Sequence, residues 1–343
     1  MSNLETDPAE VVCDGEQPGA DGPAPRELLV PRDVPLGGPR AMNVRRTLPQ
    51  RRRSLIGAWC FLDHYGPQDL TGQAGMNVPR HPHTGLQTVS WLFTGEIEHR
   101  DSTGAHAVVR PGELNLMTAG SGISHSEFST PDTTILHGAQ LWVALPEAAR
   151  GTSPGFEHHR PDPVCGDDWT ARVFLGSLLG STSPVATHSP LLGAEILLDD
   201  GASLALELDP GFEHGVLLDS GALRLDGEDV PVDHLAYLAP DSGRITLEGH
   251  DGGARLLLIG GEPLGEQIVM WWNFVGRSHE EIVEYRRAWQ EEIGAPVGSD
   301  PLAAATRVQP PGRHVPHFGP FPPGEPDALP APALPNARMR PRS

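Results

Sequence analysis

No stretch of this 343-residue chain reaches the 18 or so consecutive apolar residues that a membrane-spanning helix requires, so no membrane contact is expected. The first residues, Met1 to Ala24, are acidic and lack a basic segment followed by an apolar one, so they are not expected to act as a secretory signal. Cysteine is scarce: Cys13, Cys60 and Cys165 are far apart, odd in number and in no Cys-x-x-Cys spacing. A disulfide framework is therefore not expected, and a reducing, cytoplasmic location fits. Basic charge is also short, with 25 Lys and Arg against 45 Asp and Glu and a net charge of −20. That balance argues against binding nucleic acid through its phosphates. The one basic cluster, Arg45-Arg46 with Arg51-Arg52-Arg53, reads as a solvated loop before a strand.

Glycine and proline are abundant, at 40 and 36 residues, and favour turns and short strands over long helices. Residues 1–26 hold too few large apolar groups to offset the entropy of ordering and read as a disordered acidic leader. Short β-forming runs follow, the densest lying between Leu86 and Ser129 and stopping at Thr94-Gly95, Asp101-Ser-Thr-Gly104 and Arg110-Pro111-Gly112. Strands at this spacing indicate an all-β barrel or sandwich. Pro146 to about Gly166 reads as a connection, after which a second strand series runs to Ile259. Leu92-Phe-Thr-Gly95 is echoed by Leu218-Asp-Ser-Gly221, and Leu116 to Gly122 by Leu238 to Gly243, the mark of an internal repeat. Counted along that repeat, His125 and Glu127 fall on Thr246 and Glu248, so the second copy has lost the chemistry of the first. Ser278-His-Glu-Glu281 is a capping box opening the one well-signalled helix, with Ile282, Trp289 and Ile293 on one face and Gly294 after its end. The expected units are a leader (1–26), a first barrel (27–150), a second barrel with the helix (151–298) and an extended Pro-rich tail (299–343).

Two pairs of metal-ligating residue types, each split by one residue, stand at either end of the stretch from Gly75 to Glu127: His81 with His83, and His125 with Glu127. On a strand, residues i and i+2 share a face, so two adjacent strands would aim three imidazoles and one carboxylate into one space. Three nitrogens and an oxygen, with positions left for water or substrate, suit Fe(II) or a similar divalent ion. The plainer alternatives are two surface histidines and a polar turn after Gly120-Ser-Gly122, and spacing alone does not decide between them.

Gly75-x5-His81-x-His83-x3-Gln87 resembles the first cupin motif, and Pro111-Gly-Glu113 with Thr118 to Glu127 resembles the second in the form found in pirins. Asp63-His-Tyr-Gly-Pro67, Gly95 to Ser102, Leu141-Trp-Val143 and Gly261-Glu-Pro-Leu264 also resemble pirin sequences, so the likeness covers roughly 28–295. It implies a bicupin: an all-β protein of two cupin-type (jelly-roll) barrels in tandem with few helices. It also implies one metal, usually iron, held in the first barrel by His81, His83, His125 and Glu127. Gln87 departs from the Glu common at that place, and a neutral amide there could orient a histidine or a water.

Three functions compete. The resemblance implies quercetinase-like activity, opening a small aromatic (flavonol-like) substrate with O2, with Glu127 as both ligand and catalytic base. The alternative is a non-enzymatic, iron-dependent redox-sensing regulator that binds a protein partner, for which the acidic leader and Pro-rich tail are suited. The third is a metal that only stabilises the fold.

Overall fold

The computed structural model of the protein describes residues 27–36, 42–72, 75–298 and 316–342. The expected leader (1–26) and part of the tail lie outside these residues. The first half contributes β1 (Glu27–Leu29), β2 (Arg32–Leu36), β3 (Met42–Leu48), β4 (Trp59–Asp69), β5 (Asn77–His83) and β6 (Leu86–Thr94). It continues with β7 (Ile97–Asp101), β8 (His106–Val109), β9 (Leu114–Thr118), β10 (Ile123–Ser129), β11 (Ile135–Ala144) and β12 (Gly155–His159). The second half supplies β13 (Val164–Cys165), β14 (Trp169–Leu175), β15 (Ser177–Leu178), β16 (Ser181–Thr182), β17 (Leu191–Leu198) and β18 (Ser203–Glu207). Next come β19 (Glu213–Leu225), β20 (Glu228–Val230), β21 (Leu235–Leu238), β22 (Arg244–Gly261), β23 (Val269–Trp271), β24 (Phe274–Gly276) and the helix α1 (His279–Glu292).

The first barrel is a seven-stranded sheet, β12-β9-β6-β11-β4-β3-β2, facing a four-stranded sheet, β5-β10-β7-β8. The second is one nine-stranded sheet built around the long bent strands β19 and β22. Strand β1 precedes the first barrel in sequence yet pairs with β21 of the second. Strand β12, inside the stretch expected to be a connection, pairs with β9 of the first. Each half therefore lends a strand across the boundaries expected at 27 and at 150.

Alternation along β6 divides two environments. Val89, Trp91 and Phe93 point to a core shared by both barrels, where Trp91 stacks on Phe174 with ring centroids 4.5 Å apart. Ser90 and Leu92 face the interior of the first barrel. The helix begins as its capping box requires: the Ser278 hydroxyl accepts from the Glu281 N–H. Ser278→Ala should cost about 1 kcal/mol in chemical unfolding, the usual worth of an N-cap. Trp271 and Trp272 pack under this helix with Ile282 and Trp289, in a cluster that also takes Phe318, Leu334 and Met339 of the tail.

The basic cluster divides: Arg51 and Arg52 are exposed in the loop after β3, whereas Arg45, Arg46 and Arg53 are paired. Arg46 is buried on β3 and forms a two-point pair with Asp63, at 2.6 and 2.8 Å. Arg45 pairs with Asp233, and Arg53 pairs with Glu27 and lies over the Tyr237 ring. Arg45 and Arg46, neighbours on β3, meet different partners because successive residues of a strand point to opposite faces.

Candidate metal centre

Strands β5 and β10 lie side by side and antiparallel, with His125 directly opposite His81 and Ile123 opposite His83. The register slips between His125 and Glu127, so that Glu127 stands opposite Val78. Members of each pair are two apart on one strand and share a face, and none of the four is more than 1% exposed. The turn after His83 depends on Gly85, whose φ of +68° suits glycine and where an added Cβ would collide with the Val275 carbonyl oxygen.

Ring centroids are 4.2 Å apart for His81 and His125, 5.0 Å for His83 and His125, and 5.1 Å for His81 and His83. His81 Nδ1 lies 2.8 Å from the Pro79 carbonyl and His83 Nδ1 lies 3.1 Å from the Asn273 carbonyl. A carbonyl only accepts, so each Nδ1 carries the proton and each Nε2 is left as a lone pair. His83 Nε2 and His125 Nε2 are 3.1 Å apart. Burial pushes His81 down to about 4, and burial with neighbouring imidazoles holds His83 and His125 well below the ordinary histidine range. All three are therefore neutral at pH 7, the form that binds a metal. Burial raises the Glu127 carboxyl and the groups around it, His99 and His81 among them, lower it, the net direction being down. Neutral imidazoles with inward lone pairs beside an ionised carboxylate fit a divalent cation.

A further residue belongs to the cluster. His99 on β7 stands opposite Glu127, with Nδ1 3.4 Å from His125 Nδ1 and Nε2 3.1 Å from Asp101 Oδ2. Ligand atoms of His99, His125 and Glu127 lie within 4.8 Å of one another, as do those of His81, His83 and His125. The signal for His99 was the alternation Ile97-Glu-His99-Arg-Asp101, whose odd members are all buried. Ser90 and Gln140 complete the polar lining: Ser90 Oγ is 3.0 Å from Gln140 Oε1 and 3.5 Å from Glu127 Oε1.

Gln87 does not fill the role the cupin pattern suggested. It shares parity with Val89 and Trp91 on the face away from the imidazoles, and its Nε2 donates to Thr118 Oγ1 at 2.9 Å. Cys60 is buried, with its Sγ 3.6 Å from the Trp142 carbonyl oxygen, and burial pushes its thiol up to about 12, so it supplies no thiolate. His64 lies in a different cluster at the barrel interface, where Asp219 Oδ1 is 2.7 Å from His64 Nε2 and 2.6 Å from His137 Nε2.

The counterpart in the second barrel is apolar. The interior positions of β18 and the adjoining residue are Leu204, Leu206 and Leu208, and those of the first half of β22 are Ile245 and Leu247. Thr246 and Glu248, the positions that counting along the repeat selects, are only half-buried and face the other way. A difference of one residue in the preceding turn exchanges the faces of a strand.

Two barrels of this topology, one with a buried three-histidine, one-carboxylate cluster, define a bicupin with a candidate metal centre. Residues 41–143 match the pirin family model and residues 193–293 the model of the pirin C-terminal cupin domain. The chain is 47% identical over 266 residues, 77% of its own length and 84% of the relative's, to a Pseudomonas aeruginosa protein named "Putative quercetin 2,3-dioxygenase PA1205". It is 32% identical to mouse pirin, over 74% of this chain and 92% of that protein. Among solved structures it resembles a quercetin 2,3-dioxygenase from Acinetobacter baumannii with a TM-score of 0.80 and 35% identity, covering 92% of this chain and 97% of that one. The chain belongs to the pirin family.

Proposed function

We propose that His81, His83, His125 and Glu127 hold one Fe(II) ion and that the protein is a cytoplasmic dioxygenase of the quercetinase type acting on a flavonol. The observation that carries this reading is the convergence of three neutral, inward-facing imidazoles on one buried, ionised carboxylate. The names of the P. aeruginosa relative and of the A. baumannii structure supply the substrate class. Bound iron would supply a redox-active Lewis acid at which flavonol and O2 meet. The protein's own part is positional and protonic. The Pro79 and Asn273 carbonyls fix the His81 and His83 tautomers. Glu127, held ionised, accepts the proton of the flavonol 3-hydroxyl as the substrate binds. Ser90 Oγ, 3.0 Å from Gln140 Oε1 and 3.5 Å from Glu127 Oε1, can give its one proton to either oxygen and so steady the carboxylate.

The regulator reading loses part of its support, because tail residues that suited an external partner are bound internally. Phe318 is buried against Trp289, and Glu325 pairs with Arg100. Iron-loaded protein mixed with quercetin without oxygen and then exposed to air should consume the flavonol absorbance. Glu127→Ala should turn over about 100-fold more slowly or less, the scale of a lost general base. Wild-type turnover no faster than this variant's would remove the enzymatic proposal.

A further inference from the structure

The second barrel retains a cavity although it has lost the ligand set. Beside the apolar core of Leu206, Ile245 and Leu247, a cleft of about 370 Å³ opens between the ends of β14, β17, β18 and β19. That volume lies within the range of small-molecule sites, about 300–1,000 Å³. Leu178, Leu192, Leu208 and Phe212 form its walls.

One polar side chain reaches its inner end. His214 shares parity on β19 with Val216 and Leu218, both in the interior core, and is fully buried. It stands between Leu238 and Gly260 on the neighbouring strands, and a Cβ at Gly260 would press on the imidazole edge. Neither ring nitrogen has a hydrogen-bond partner. Other buried histidines are matched: His81 and His83 by backbone carbonyls, His64 and His137 by Asp219. Burial pushes His214 down to about 4, against the opposing charge of Asp209, so the ring is neutral and offers one donor and one acceptor. Leaving both empty in a buried site is unfavourable unless something enters to meet them.

The rim carries the opposite kind of group. Glu207 and Asp209 line the cleft and are exposed. The cation paired with Glu207 is Arg244, at 3.5 Å and with both side chains largely in solvent, and Asp209 accepts from the Gly211 N–H of its own turn. Two carboxylates outside, apolar walls between and a neutral imidazole inside describe the complement of one kind of molecule. We propose that this cleft is a second ligand site, taking a small hydroxyaryl alkylamine with its ammonium at Glu207 and Asp209 and its hydroxyl on His214.

The probe is tyramine, titrated calorimetrically into the full-length protein, with 4-ethylphenol and 3-(4-hydroxyphenyl)propionate as its uncharged and anionic counterparts. Tyramine should bind saturably, 4-ethylphenol about 10-fold more weakly, a difference of about 1.4 kcal/mol, and the anion not at all. Glu207→Gln, on the exposed rim, should weaken tyramine and leave 4-ethylphenol unchanged. His214→Phe should abolish binding of both. If that variant fails to fold, the Glu207→Gln comparison decides alone. The His81→Ala, His83→Ala double variant should bind tyramine as the wild type does, which separates this cleft from the first barrel. No saturable binding at millimolar tyramine, equal affinity for the three probes, or loss of binding in the double variant would each overturn the proposal.

Discussion

Replacing His81 and His83 together by alanine should reduce the metal content of purified protein from about one ion per chain to less than a tenth of that. Two of the four proposed ligands are then missing, and one imidazole with one carboxylate seldom retains a transition metal through purification. The same substitution removes rings crowded within 5.1 Å of each other, so the metal-free fold should not suffer in proportion. Thermal unfolding separates the two effects. A ligand present at 100 times its dissociation constant stabilises the folded state by about 2.7 kcal/mol, so a chelator should lower the wild-type midpoint by several degrees. The double variant should be indifferent to chelator. Equal metal in both proteins would undo the assignment of the site.

Asp219→Ala should destabilise the protein by about 3–5 kcal/mol, the cost of removing one partner from a buried charge cluster. Its Oδ1 is shared by His64 of β4 and His137 of β11, and Ser220 Oγ donates to Oδ2 at 2.9 Å. All the titratable residues involved lie at the junction of the barrels, with Asp233 and Arg45 beside His64 and Arg255 3.9 Å from Asp219. Burial opposes the charge on Asp219, but the two imidazoles hold its carboxyl far below the usual range. Its stabilising effect is therefore full above about pH 4 and is lost as pH falls through the lowered folded value. His64 runs the other way: burial lowers it, Asp219 and Asp233 outweigh burial, and the net direction is up. Its contribution is complete below about pH 6.5 and is lost as pH rises through the raised folded value. Denaturant unfolding of the wild type should thus weaken on both sides of mildly acidic pH. In Asp219→Asn the loss above pH 6.5 should shrink, and an unchanged profile would show that His64 owes its charge elsewhere.

The candidate centre was readable because its residues sit two apart on strands, where spacing translates directly into a shared face. The regular runs Leu86–Thr94 and Leu114–Thr118 were legible for the same reason, and so was the capped helix. What escaped depended on contacts distant in sequence. His99 looked like one more histidine until β7 was placed against β10. Gln87 matched a motif position, but its face is set by its place on β6 and not by its distance from His83. Strand β12 is short, and its half-exposed residues carry no apolar alternation; only the free edge of β9 makes a strand of it. Thr246 and Glu248 were chosen by counting through turns of unequal length, where a slip of one residue inverts every assignment.

Tail residues 316–342 cross the outer side of the small sheet that carries the candidate ligands. The Leu329 N–H donates to the Arg80 carbonyl, Ser124 Oγ donates to the Phe318 carbonyl, and Arg80 reaches the Gly319 carbonyl. Those backings belong to β5 and β10, which leave the ribosome far earlier than the residues that brace them. Until translation has passed the brace, the outer faces of β5 and β10 lack these contacts, so the last contacts of the first barrel form only after the second barrel has been synthesised.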